Sequence, residues 1–234
     1  MKIIPAIDLI DGRPVRLKQG DFKRVQFYPA SLLELSGEIW QAGIRNLHLV
    51  NLSAAENAQT SDFSEISGLL QRYPLKIDYG GGIRTKKQVV DLLSLGVDAV
   101  NIGTMIFEEE DLFVELLQEY PQRIIASLDV KDEIIAIKAW QESTEINLFD
   151  YLPKLIAKGL KKVCITDISK DGMLAGPATG LYQKIRRLAP NLEIIASGGV
   201  STKEDINALF KVPCDGAIIG KAWLDKSIKL AELC

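Results

Sequence analysis

Two stretches of the sequence match each other and decide the fold: Tyr79-Gly80-Gly81-Gly82-Ile83-Arg84-Thr85 and Ala196-Ser197-Gly198-Gly199-Val200-Ser201-Thr202. A second pair repeats the match, with Ile102-Gly103-Thr104 in the first half and Ile219-Gly220-Lys221 in the second. The members of each pair are 117 positions apart, which is half of the 234 residues. The sequence therefore predicts two halves of similar structure.

Each matching segment has the pattern of an anion-binding turn. An apolar strand comes first, then small residues, then the start of a helix whose backbone N–H groups are available to an anion. Glycine at such a turn lets an oxyanion approach the backbone closely. Glycines that only turn tight corners would explain one copy. Two copies in register favour a ligand that carries a phosphate group at each end.

Short apolar strands alternate with amphipathic helices along the chain. We predict eight strands: Ile3–Asp8, Asn46–Asn51, Leu75–Tyr79, Ala99–Ile102, Arg123–Asp129, Lys162–Thr166, Glu193–Ser197 and Gly216–Ile219. Their apolar character is typical of a parallel sheet that is covered by helices on its faces. The alternation therefore predicts the α/β class.

Eight strand–helix units with half-chain symmetry predict a TIM (β/α)₈ barrel, built as one domain over residues 1–234. In this fold the chemistry takes place at the carboxyl ends of the strands. A doubly wound open sheet is the alternative, and it would place its phosphate-binding glycines after the first strand. Here the first strand ends in Asp8-Leu9-Ile10-Asp11-Gly12, so we favour the barrel.

Composition excludes several classes of function. A net charge of −3 argues against a nucleic-acid partner, which would call for a basic face. No apolar run reaches the roughly 18 residues that a membrane-spanning helix needs. The three cysteines are odd in number and widely spaced, which indicates neither a disulfide framework nor a zinc site. We expect a cytoplasmic monomer that contacts neither membrane nor nucleic acid and binds no metal.

Two aspartates are candidates for catalysis. Asp8 ends the predicted first strand and Asp129 ends the fifth, so a closed barrel would place them on opposite sides of its mouth. This arrangement suits general acid–base work on the middle of an elongated bisphosphate, whereas a single strand-ending aspartate often only caps a loop. Thr166 ends the sixth strand, and its hydroxyl could bond a reacting group, an aspartate or only the backbone. The lone His48 lies in an apolar run, which favours a structural role.

Three segments together resemble one known family: Ile4-Pro5-Ala6-Ile7-Asp8-Leu9-Ile10-Asp11-Gly12 with Val15-Arg16-Leu17, then Tyr79-Gly80-Gly81-Gly82-Ile83-Arg84, then Thr166-Asp167-Ile168-Ser169-Lys170-Asp171-Gly172-Met173-Leu174-Ala175-Gly176-Pro177. The family is the phosphoribosylformimino-5-aminoimidazole carboxamide ribotide isomerases of histidine biosynthesis. The resemblance covers the whole chain. It implies a barrel enzyme that converts an aminoaldose to an aminoketose, an Amadori rearrangement, with no cofactor.

The resemblance also implies roles for particular residues. Asp8 would be the proton acceptor and Asp129 the proton donor, with Thr166 assisting. The residues that would hold the two phosphates of the ribotide substrate are, at one end, Gly81 with its neighbour Gly82, Gly103 and Thr104, and, at the other end, Gly176, Gly198, Gly199 and Gly220.

One segment departs from the family pattern. The family commonly carries Asp-Leu-Asp-Gly-Ala after the second strand, where this chain has Asn51-Leu52-Ser53-Ala54-Ala55. Three other functions stay open at this point: the cyclase subunit of imidazole glycerol phosphate synthase, an isomerase that also accepts phosphoribosyl anthranilate, and a non-catalytic bisphosphate-binding barrel. The cyclase family typically starts with a Cys-Leu-Asp-Val type of strand, unlike Ala6-Ile7-Asp8-Leu9.

Overall fold

The computed structural model describes residues 1–18, 20–56, 63–138, 140, 142–171, 173 and 176–233. The strands in this part of the chain are β1 (Lys2–Ile10), β2 (Arg13–Lys18), β3 (Asp21–Phe27), β4 (Asn46–Asn51), β5 (Lys76–Gly80), β6 (Ala99–Ile102), β7 (Ile124–Lys131), β8 (Ile134–Ile137), β9 (Glu142–Asn147), β10 (Lys162–Asp167), β11 (Glu193–Ser197) and β12 (Gly216–Ile219). The helices are α1 (Leu32–Gln41), α2 (Leu52–Glu56), α3 (Ser64–Arg72), α4 (Lys86–Leu95), α5 (Met105–Glu108), α6 (Glu110–Glu119), α7 (Leu148–Ala157), α8 (Thr179–Leu188), α9 (Lys203–Phe210) and α10 (Lys221–Leu224), and a short 3₁₀ helix spans Leu230–Glu232.

Eight of these strands are parallel and close into a barrel in the order β1-β4-β5-β6-β7-β10-β11-β12. The first and last strands pair directly, with Ile4 opposite Ile218. The predicted barrel is thus confirmed, and each predicted strand lies within two residues of the observed bounds. Because β7 is four places from β1 in the ring of eight, these two strands stand on opposite sides of the barrel.

The barrel interior is filled only in its lower part. Seven buried side chains form a cluster of their own inside the ring: Ile4, Ala6, Ala99, Ile125, Cys164, Ile195 and Ile218. A separate and larger apolar core lies between the strands and the surrounding helices. The packed floor leaves the carboxyl ends of the strands as an open mouth, as is usual for this fold.

Two antiparallel hairpins, which the sequence did not predict, extend the barrel strands at the mouth. β2 and β3 continue from β1, with Asp8 opposite Val15. β8 and β9 continue from β7, with Asp129 opposite Ala136. Each half of the chain therefore folds one hairpin back over its own candidate catalytic aspartate.

The half-chain repeat extends to the helix caps. The Thr85 side chain caps α4 in a reciprocal capping box with Gln88, and Thr202 caps α9 in the same way with Asp205. Both members of the second box follow those of the first by 117 positions. Each box satisfies backbone N–H groups that a helix start would otherwise leave unpaired.

Within the described residues, no helix combines the length and apolarity needed to cross a membrane.

Candidate active site

A cavity of about 640 Å³ opens at the carboxyl ends of the barrel strands. Ten of the predicted site residues line it: Asp8, Gly81, Gly82, Gly103, Thr104, Asp129, Thr166, Gly198, Gly199 and Gly220. Gly176 does not line the cavity, but its backbone N–H donates to the Gly199 carbonyl at 3.1 Å. Residues that are far apart in the chain thus meet at one mouth, with Gly176 placed behind the second glycine pair.

Asp8 lies in a charged group on one side of the cavity. The Arg16 guanidinium reaches Asp8 Oδ2 with Nη1 at 3.4 Å and Asp171 Oδ2 with Nη2 at 2.6 Å. Burial raises the pKa of Asp8 above its ordinary value, and the positive charge of Arg16 opposes that rise. Asp171 acts in the same direction as burial. Arg16 therefore favours the ionised form of Asp8, which burial disfavours.

Asp129 lies across the mouth with neutral hydrogen-bond partners. The Trp140 indole N–H donates to Asp129 Oδ2 at 2.8 Å, and Thr166 stands directly opposite Asp129 in the register of β7 and β10. Burial raises the pKa of Asp129, while hydrogen bonds with Trp140 and Thr166 lower it in part. Two carboxyl groups with raised pKa values in one cavity can divide the roles of acid and base.

The glycines that line the cavity differ in whether the fold requires glycine. Gly81 has φ +96°, and a Cβ there would lie 2.2 Å from the Asn51 carbonyl oxygen. Gly199 has φ +85°, and its Cβ would lie 2.3 Å from the Gly176 carbonyl oxygen. Gly103 is different, because the nearest atom to its Cβ would be the Ser127 carbonyl oxygen at 3.6 Å. The fold thus requires glycine at 81 and 199, whereas at 103 it leaves room for a methyl group.

A cationic side chain lies near each glycine turn. Arg84 follows Gly81 and Gly82 and donates to the carbonyl oxygens of Ala54 and Ala55 at 3.2 and 3.3 Å. Lys221 follows Gly220, and both cations line the cavity. The two ends of the cavity therefore offer a positive charge beside exposed backbone, as an anionic ligand requires.

The described residues contain no group of three His, Cys, Asp or Glu side chains that could hold a metal ion.

Comparison with known proteins then decides the family. The family described as histidine biosynthesis protein matches residues 2–229. The chain belongs to this family. The resemblance seen in the sequence is thereby confirmed.

Curated relatives match this chain over almost its full length. A Campylobacter jejuni protein is 40% identical over 99% of this chain and 96% of its own length. Proteins from Bacteroides fragilis and Flavobacterium johnsoniae are 38% and 36% identical, each over 100% of this chain and 98% of their own lengths. All three bear the name 1-(5-phosphoribosyl)-5-((5-phosphoribosylamino)methylideneamino)imidazole-4-carboxamide isomerase.

Asn51, where the chain departs from the family pattern, does not line the cavity. The Asn51 side chain accepts a hydrogen bond from the Ala54 backbone N–H at 2.9 Å and so caps α2, the short helix that follows β4. It also hydrogen-bonds the Tyr79 side chain. Asparagine and aspartate are nearly equivalent as N-caps. The neutral amide of Asn51 thus fills a structural position in the fold.

Sequence reasoning missed the residues that surround the aspartates. Arg16 and Trp140 lie on the two unpredicted hairpins, so their approach to Asp8 and Asp129 could not be foreseen. A signal for Arg16 did exist in the sequence, because the apolar residues Val15 and Leu17 flank it, and the structure buries both. Such alternation is typical of a strand with its polar residue on the opposite face. His48 also lines the cavity, although its apolar context favoured a structural role.

Proposed function

We propose that this member of the histidine biosynthesis family is an aldose–ketose isomerase. It performs the Amadori rearrangement of phosphoribosylformimino-5-aminoimidazole carboxamide ribotide, a bisphosphorylated aminoaldose, to the corresponding aminoketose. One observation carries the proposal: Asp8 and Asp129 face the same cavity from opposite strands of the barrel, between two glycine turns. The names of the relatives support the same activity.

The reaction needs one acid and one base. Protonation of the furanose ring oxygen opens the ring and gives an imine. Removal of the proton from C2 then gives an enolamine, which becomes the ketone as C1 takes up a proton and the C2 hydroxyl group gives one up. One carboxylic acid and one carboxylate supply these proton transfers, and the number of protons in the substrate does not change.

The environments of the two aspartates support a division of roles. Asp8 lies beside the Arg16 guanidinium, which favours the carboxylate, so Asp8 is assigned as the base. Asp129 has the neutral partners Trp140 and Thr166, so Asp129 is assigned as the acid, with Thr166 assisting it. A pair of carboxyl groups whose surroundings differ in this way can hold one proton between them.

The two glycine turns are assigned to the two phosphates. Gly81, Gly82, Gly103 and Thr104 would hold one phosphate, with Arg84 nearby. Gly198, Gly199 and Gly220 would hold the other beside Lys221, with Gly176 supporting Gly199 from behind. Holding the substrate by both phosphates places its reactive carbons between the aspartates. Such positioning supplies much of an enzyme's rate enhancement.

The activity is tested by incubating the purified chain with the aminoaldose ribotide in D₂O. We expect conversion to the aminoketose with one solvent deuterium at C1, because the base exchanges its proton with water. Product without deuterium would show that the proton taken from C2 reaches C1 without exchange with water, which would contradict the expected exchange at the base. No conversion at all would contradict the proposed function.

A further inference from the structure

A polar cluster lies inside the barrel below the two aspartates. It consists of His48 on β4, Asp78 on β5 and Asn101 on β6. His48 Nδ1 is hydrogen-bonded to Asp78 Oδ1, and the Asn101 side-chain amide donates to the same oxygen at 2.5 Å. Asp78 is 9% exposed and Asn101 is 4% exposed. Three neighbouring strands thus point polar groups into a barrel whose floor is otherwise apolar.

The register fixes the depth of this cluster. His48 pairs with Ala6 on β1 and with Asp78 on β5, whereas Asp8 pairs with Val50. Because side chains on one face of a strand recur every second residue, His48 lies one layer below Asp8. His48 and Asn101 line the cavity, and Asp78 does not. The His48 imidazole and the Asn101 amide therefore face the substrate space, and Asp78 bonds both from the side away from that space.

The bonding pattern places an ionised Asp78 carboxylate beside the His48 imidazole, and the local charges favour the protonated form of that imidazole. Asn101 turns its amide N–H toward Asp78 and leaves its own buried Oδ1 with no partner among the described residues. A buried carboxylate is stable when it is paired and hydrogen-bonded, and His48 with Asn101 provide both. Burial by itself lowers the pKa of His48, but the charge of Asp78 and the weaker effects of Asp8 and Asp129 outweigh it and raise that pKa.

The titratable groups around His48 come from several strands. Asp78 on β5 is in direct contact, Asp8 on β1 and Asp129 on β7 lie above it, and Cys164 on β10 lies within the barrel. Burial raises the pKa of the Cys164 thiol well above its usual range, so this group stays neutral. In return, His48 lowers the pKa of both Asp8 and Asp129.

We propose that His48 is a positioning residue for the isomerisation: held as an imidazolium by Asp78, it maintains the ionisation needed at the two aspartates from beneath the substrate. The proposal rests on the proposed function for its kinetic consequence. The positive charge assigned to His48 can be tested without any assay of activity. Asn101 contributes by fixing the carboxylate that orients the imidazole.

The charge assignment can be measured directly, because His48 is the only histidine in the chain. Protein with its purification tag removed and with labelled histidine gives a single imidazole signal by NMR. We expect that signal to titrate above the ordinary 6.5 in the native protein. In Asp78→Asn, which keeps an acceptor oxygen and removes the charge, we expect titration below 6.5 because burial then dominates. A native titration at or below 6.5, or no change in Asp78→Asn, would overturn the proposal.

The kinetic consequence is a shift in the pH dependence. Without the imidazolium, the pKa of Asp8 rises further, so the base becomes protonated at a higher pH. We expect the acidic limb of kcat/KM to move up by about one pH unit in His48→Gln, which is about tenfold lower kcat/KM at a given pH on that limb. The limb should move up by less in Asp78→Asn, because that variant loses the negative charge of Asp78 together with the positive charge of His48. KM should stay within a few-fold. A purely structural role would lower stability and leave the limb in place, and that result would also overturn the proposal.

Asp215→Asn is the matched control. Asp215 makes the same kind of contacts at the opposite end of the barrel, with Arg186 at 2.6 Å and the Ile194 backbone N–H at 2.8 Å. This variant should leave both the His48 titration and the acidic limb unchanged. Native protein that shows the expected titration but converts no ribotide would refute the proposed function and leave the charge assignment standing.

Discussion

Replacing Gly103 with alanine adds a methyl group to the cavity wall while the fold stays intact. The new Cβ would lie 3.6 Å from its nearest neighbour, the Ser127 carbonyl oxygen, which is ordinary van der Waals contact. Gly→Ala at an unstrained position typically stabilises a protein by roughly 0.4–1 kcal/mol, because the unfolded chain loses freedom. We therefore expect thermal unfolding of Gly103→Ala to occur at the native temperature or slightly above it.

Substrate binding should respond in the opposite direction. If the backbone at Gly103 meets a phosphate oxygen, the methyl group removes a hydrogen bond to a charged group, which contributes about 1.5–3 kcal/mol. That loss corresponds to a roughly 10- to 150-fold fall in kcat/KM. It should appear mainly as a higher KM with kcat nearly unchanged, because the phosphate is bound equally in the ground state and the transition state.

Gly81→Ala is the contrasting variant. Its Cβ would lie 2.2 Å from the Asn51 carbonyl oxygen at φ +96°, so the backbone itself must move. Left-handed backbone costs about 1–2 kcal/mol for a non-glycine residue, and the clash adds to it. We expect a clearly lower unfolding temperature, which makes Gly81→Ala unsuitable as a probe of binding. Initial rates against ribotide concentration, with thermal unfolding of both variants, provide the assay. A KM for Gly103→Ala within twofold of native would refute the assignment of Gly103 to the phosphate.

Three further outcomes follow from the structure. Arg16→Met removes the positive charge 3.4 Å from Asp8, so the pKa of Asp8 should rise and the acidic limb of kcat/KM should move to higher pH. A limb that does not move would refute the effect of Arg16 on the pKa of Asp8. Thr202→Ala and Thr85→Ala each remove one helix cap and should each lower the free energy of unfolding by about 1 kcal/mol in urea titrations, whereas very unequal losses would contradict the equivalence of the two halves. Exhaustive treatment with EDTA should leave kcat unchanged, and a loss that a divalent ion restores would overturn the metal-free mechanism.

The barrel could be predicted from sequence because its strands are short, apolar and separated by helices of regular period. The half-chain repeat added independent support, since Gly81 and Gly198 fall at equivalent strand ends. The hairpins could not be predicted in the same way. β3 and β9 lie over the mouth with most residues partly or fully exposed, so neither strand shows the alternation that burial on one face produces.

The catalytic candidates were predictable only as strand ends. Asp8 and Asp129 follow apolar runs, and the closed barrel brings them to one cavity. The role of His48 needed the register. Leu47 and Leu49 are fully buried against the helices, so the residue between them faces the barrel interior. That Asp78 would stand beside His48 follows from the pairing of β4 with β5, which no local pattern specifies.

The central claim is that Asp8 and Asp129 carry the proton transfers. The most direct measurement is kcat for Asp8→Asn and Asp129→Asn, with substrate affinity determined separately on the same proteins. We predict a loss of at least roughly 10²-fold in kcat for each variant, the contribution of one positioned acid or base, with affinity nearly retained. Near-native kcat in either variant would contradict the role assigned to that aspartate.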